Sequence, residues 1–210
     1  MKGALSLVLV LSVVAGAAFA GYPSSYKKYL GSLREWTRHK QWYSPKTMQA
    51  EMLWHATYFS PDFRRMYTKE IIKRKYMDPV EAAQFVAQQE REQAASDAFF
   101  IGLYTIKAYR EFSMGEESFW EAVLIPESGE EIKAIGVEKI DVKPLEKILF
   151  PYLGRWSKGY RVRFPKVDAG QTFTLVLRSV IGTTELKWNL DADAKHSLES
   201  LEAPFQGEGE

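Results

Sequence analysis

Apolar positions recur three and four residues apart in the first part of the chain and alternate in the second. Tyr26, Tyr29, Leu30, Leu33 and Trp36 share one face of a helix. Ser44-Pro45, Ser60-Pro61 and Asp78-Pro79 each join a capping side chain to a proline at the first helical position. The first of these starts predicts a helix with the stripe Met48, Met52, Ala56 and Phe59. The second predicts one with Phe63, Met66, Tyr67 and Ile71. The third places Glu81 three residues after Asp78, a capping box, and leads into Ala83, Val86 and Ala87. About four helices over residues 21–96 are expected, as an array rather than a coiled coil, because the prolines interrupt any heptad.

From Asp97 the period changes to two. Phe99, Ile101 and Leu103 alternate with Phe100, Gly102 and Tyr104, and apolar residues on both faces predict a buried strand. Trp120, Ala122 and Leu124 alternate with Phe119, Val123 and Ile125. Further strands are expected in residues 132–142, over Tyr160, Val162 and Phe164 with Arg161 and Arg163 turned outward, and at Phe173, Leu175 and Leu177. Leu186, Trp188 and Leu190 close the series. Six or seven short strands over residues 97–190 predict an antiparallel β-sandwich of immunoglobulin-like size. Residues 144–159 read as a long crossing connection. The expected fold class is therefore α+β, with an N-terminal helical region followed by a sandwich.

The two ends have other signatures. Met1-Lys2-Gly3, an apolar run over residues 4–14 and the ending Ala18-Phe19-Ala20 are the parts of a secretory signal peptide, with cleavage expected after Ala20. The competing reading is a retained anchor, since residues 3–20 carry no charge and approach the length of a spanning helix. Cleavage would leave an exported chain, periplasmic or secreted, with no membrane span. Residues 191–210 hold six acids and one lysine and are expected to form an acidic disordered tail.

Charge and composition remove several classes. Basic and acidic side chains number 28 and 27, and no cysteine is present. A strongly basic nucleic-acid binder, a disulfide scaffold and a thiol enzyme are excluded. Charge is nevertheless divided, with +5 over residues 21–112 and −5 over residues 113–210. That field favours docking of the helices on the sheets.

Candidate chemistry is sparse. His39, His55 and His196 have no spacing that puts two imidazoles on one helical face, so neither metal nor cofactor is expected. His55 reads as a packed side chain. No nucleophile elbow or phosphate loop is present. Dispersed carboxylates, with Glu121 the one to watch, leave a hydrolase as a lesser alternative. Arg65, Lys69 and Lys73 lie on the most basic helix, which suits an anionic headgroup or an acidic protein surface. Trp42, Tyr43 and Trp156 fall in predicted connections, where aromatics are placed to stack on sugar rings or anchor a protein interface. The sequence thus points to a non-enzymatic binding or interaction protein of the bacterial cell envelope. Another envelope protein is the expected partner and a glycan the alternative.

Overall fold

The computed structural model describes residues 24–43, 50–105, 114, 120–167, 172–179 and 182–190. In chain order these form α1 (Ser24–Trp36), β1 (Thr37–Tyr43), β2 (Ala50–Tyr58), α2 (Pro61–Lys75), α3 (Pro79–Ala95) and β3 (Ser96–Thr105). There follow β4 (Glu121–Pro126), β5 (Ile132–Lys133), β6 (Gly136–Ile140), α4 (Pro144–Leu149), β7 (Lys158–Pro165), β8 (Thr172–Ser179) and β9 (Gly182–Asn189). The architecture is α+β with two antiparallel sheets, ordered β1-β2-β3-β7-β6 and β5-β4-β8-β9. No helix among the described residues is long and apolar enough to cross a membrane. The expected signal peptide and acidic tail lie outside the described residues.

Helix starts follow the sequence signals. Ser60 accepts a hydrogen bond from the Phe63 N–H at 3.1 Å, with Pro61 opening α2. Asp78 and Glu81 form the full capping box of α3. On α1 the stripe Tyr26, Tyr29, Leu33 and Trp36 is buried. Tyr76 ends α2 in the left-handed region, φ 51°, returning its N–H to the last carbonyls of the helix.

The expected helix over Met48, Met52, Ala56 and Phe59 does not form, and its proposed start at Ser44-Pro45 lies outside the described residues. Residues 50–58 are instead β2, paired in register with β1 and β3. The reason is double coverage. Met52, Trp54, Ala56 and Tyr58 turn toward the second sheet, while His55, Thr57 and Phe59 turn toward the helices. A strand buried on both faces loses the polar alternation that marks a half-buried one. Residues 21–96 are therefore not a separate helical region. Three helices flank a hairpin that supplies two strands of the larger sheet. The strand expected in residues 132–142 divides into β5 and β6, which belong to different sheets. The expected crossing connection carries α4.

Phe99 centres the core between the sheets, with ring centroids 5.1 Å from Tyr58, 5.4 Å from Trp188, 5.8 Å from Phe164 and 5.9 Å from Phe173. Trp188 donates its indole N–H to the Trp36 carbonyl at 3.1 Å, tying β9 to the end of α1. On the far face of the larger sheet, Phe100 stacks on Phe150 while Phe59, Phe63 and Tyr67 interlock edge to face. The order of layers is helices, larger sheet, smaller sheet. Buried charge is compensated within these layers. Asp97 accepts from Lys166 Nζ at 2.7 Å, the Val167 N–H and the Tyr58 hydroxyl. Arg64 reaches Gln89 and Glu92 of α3, and Arg161, expected to face outward, lies half-buried on the helix side.

Candidate functional site: a cavity beneath the first helix

A cavity of about 1090 Å³ lies between α1, the β1–β2 ladder, the end of α2 and the segment after α4. Its wall on α1 is Tyr26, Leu30 and Leu33, continued by Ile148, Pro151 and Tyr152. The hydroxyls of the tyrosines on this wall are bonded within the protein. Tyr26 and its neighbour Tyr29 donate to the carbonyls of Ile148 and Leu149 at 2.8 and 2.6 Å, satisfying the last carbonyls of α4 and fastening α1 to it. What remains toward the cavity is ring and aliphatic surface.

The sheet side is a stack. His39 and His55 face each other in the β1–β2 register with centroids 5.3 Å apart, and Tyr152 lies on His55 at 4.7 Å and 8°. Burial, and secondarily His39, lower the His55 pKa to about 4, so this imidazole is neutral at neutral pH. A hydroxyl chain runs behind it. Thr37 donates to the Leu33 carbonyl at 2.6 Å, so it must accept from Thr57, which in turn accepts from Tyr152, each at 2.7 Å. Every proton in the chain is committed, and burial raises the Tyr152 pKa further. This wall is built to hold a shape.

Cations gather at the cavity's margin. Arg34, Lys73, Arg74 and Lys147 line it with a single carboxylate, Glu70. Arg74 is already engaged, with Nε 2.6 Å from Glu70 Oε1 and its guanidinium over the Tyr26 ring at 4.6 Å. Lys73 donates to Ser25 at 2.8 Å. Neither Lys73 nor Lys147 has a carboxylate partner among the described residues.

Of the binding candidates singled out from the sequence, Lys73 lines this cavity, as do the two histidines His39 and His55. Arg65 and Lys69 are exposed on α2, and Arg65 pairs with Asp62. Trp42 is not in a connection. It lies within β1, one residue before its end, and packs on Gly182, where a Cβ would fall 1.9 Å from its ring and where φ is 146°. Tyr43, also in β1, is 55% exposed and donates to Gln41 at 2.6 Å. Trp156 is 55% exposed beneath the Arg155 guanidinium. Glu121 pairs with Lys133 at 3.0 Å on the edge of the smaller sheet. His196 lies outside the described residues. No group of acids and histidines suited to a metal occurs among the described residues. The sequence places Leu30 and Leu33 on one helical face and carries no signal at Tyr152 or Lys147. His39 and His55, expected on different helices that could bring them together, meet instead through the β1–β2 strand register.

Comparison with models of protein families, with curated proteins and with solved structures gives no match.

Proposed function

We propose that this chain is a non-enzymatic binding protein of the cell envelope that holds a small, largely apolar molecule in the cavity beneath α1. The carrying observation is the cavity itself. At about 1090 Å³ it is slightly above the range of most small-molecule sites, which run to roughly 1,000 Å³. Its lining is aromatic and aliphatic where α1 and the Ile148–Tyr152 segment meet. Binding is favoured over hydrolysis because the hydroxyls of Thr37, Thr57 and Tyr152 are consumed in one chain and Glu70 is held by Arg74. On this reading the two sheets form the expected immunoglobulin-like sandwich and act as a rigid support. The glycan alternative would have to use Tyr43 and Trp156. Strands β1 and β7, which carry or follow them, are three strand spacings apart, about 14 Å, so the rings share no obvious platform.

A neutral fluorescent apolar amine, N-phenyl-1-naphthylamine, tests the reading. The protein is expected to take it up at one site with a blue-shifted, brightened emission. Leu30→Trp, or Ile148→Trp at a position already 38% exposed, fills the space and abolishes uptake while leaving thermal unfolding cooperative. Uptake unchanged in both variants would place the reporter elsewhere and defeat the proposal.

Export is part of the same reading and rests on the charged start, apolar run and small-residue ending of residues 1–20. Intact mass of the chain from the envelope fraction is expected to correspond to a start at Gly21. A chain recovered there with residues 1–20 attached would replace the soluble reading by an anchored one.

A further inference from the structure

Resting on the cavity reading, we propose that the ligand is a single-chain amphiphile with an anionic head, its chain in the cavity and its head at Lys73 and Lys147. The polarity of the lining is ordered. Tyr26 and Leu33 are buried and form the base with half-buried Leu30, and the one buried carboxylate there, Glu70, is paired by Arg74, whose guanidinium lies over the Tyr26 ring. Lys73 and Lys147 are exposed and come from the last turns of α2 and α4. An apolar base under a cationic margin complements a molecule that is apolar along its length and negative at one end.

The charge count points the same way. Glu70 is the one carboxylate lining the cavity, it is buried, and Arg74 holds it at 2.6 Å. That pair neutralises itself and leaves the two lysines without an acid among the described residues. A neutral apolar ligand would fill the base and leave this margin unused. A cationic one would meet like charge. An ammonium pairs with a carboxylate, sulfate or phosphate through charge-assisted hydrogen bonds, about twice as strong as neutral ones. The hydroxyls of Tyr26 and Tyr152 do not compete for the head, because both are bonded within the protein. The bound head is therefore read by charge, and the chain by volume.

Displacement of bound N-phenyl-1-naphthylamine from the full chain separates the possibilities. Decanoate, decan-1-ol and decyltrimethylammonium share one chain length and differ in head charge. Decanoate is expected to displace at a concentration at least about tenfold below that of the alcohol, with the cationic amphiphile weakest. High salt narrows the gap by screening the exposed lysines. In the Lys73→Ala, Lys147→Ala double variant, decanoate should fall to within about threefold of the alcohol while the alcohol itself is unchanged. Both lysines are exposed, so this variant is expected to fold. Equal displacement by acid and alcohol, or preference for the cation, overturns the anionic head and leaves the apolar cavity standing. A reporter that never binds, or binds equally when Ile148→Trp fills the space, removes the cavity reading and this inference with it.

Discussion

Gly102→Val is expected to lose about 3 kcal/mol of stability and, in whatever fraction folds, to lose uptake of the apolar reporter. Gly102 lies in the middle of β3, opposite His55 on one side and Gly159 on the other. A Cβ at this position would fall 2.8 Å from Leu153 Cδ2 and 3.0 Å from Tyr152 Cε2. The leucine terminus alone can rotate away. The tyrosine ring cannot do so cheaply, because it is stacked on His55 at 4.7 Å and its hydroxyl is bonded to Thr57 at 2.7 Å. Valine adds two further methyl groups to the same contact. Its greater strand propensity recovers at most about 1 kcal/mol, so overpacking wins. The displaced ring is a wall of the cavity, which carries the damage from the sheet to the site. Urea midpoints and reporter titration of the wild type, Gly102→Ala and Gly102→Val measure both effects. A valine variant as stable as the wild type would mean that the Leu153–Tyr152 segment yields easily and does not set the shape of the cavity.

That same close approach explains which parts of the molecule the sequence disclosed. Local chemistry was legible. Ser60-Pro61 and Asp78-Pro79 open α2 and α3 because caps act within three residues of themselves. The one-sided stripe on α1 was equally plain. The β1–β2 hairpin was not, since Met52, Ala56 and Phe59 satisfy a helical spacing by coincidence while Met52, Trp54, Ala56 and Tyr58 satisfy a strand spacing in the same residues. Aromatic and β-branched enrichment from Trp54 to Phe59 was the available counter-signal. The site was less visible still. Lys73 stood out within a basic helix, but Lys147 reaches the same cavity from α4, more than seventy residues on. Leu30 and Leu33 look in sequence like any core residues, and only the placement of α1 over the sheet leaves space against them. Trp42 and Trp156 stand out in sequence because they fall in predicted connections, yet one lies in β1 and packs on Gly182 and the other lies under Arg155. A cavity is a property of what fails to touch, and a one-dimensional pattern records contacts better than gaps.

Stability should fall by about 3 kcal/mol between pH 6.5 and pH 4 through His55 alone. Burial is the larger cause of its lowered pKa, about 4 against the ordinary 6.5, and His39 across the β1–β2 ladder is the second. At pH 7 the imidazole is neutral in the folded chain and mostly neutral in the unfolded one, so it contributes little difference. Below pH 6.5 the unfolded chain takes up the proton and the folded one resists it, so unfolding is progressively favoured until the folded pKa is reached. The groups around the ring do not reverse this direction. Tyr152, stacked on it, stays neutral throughout, and the cavity beyond holds Arg34, Lys73, Arg74 and Lys147 against Glu70 alone. His55→Phe keeps a flat ring on Tyr152 and removes the titration. Urea unfolding of both proteins from pH 7 to pH 4 isolates the effect, because carboxylate titrations elsewhere are common to the two. The wild type should lose about 3 kcal/mol more than the variant across that interval. Parallel curves would mean that the imidazole is hydrated and that the stack does not seal the cavity from the sheet side. The difference, if found, reports on the same dry wall that an apolar ligand would meet.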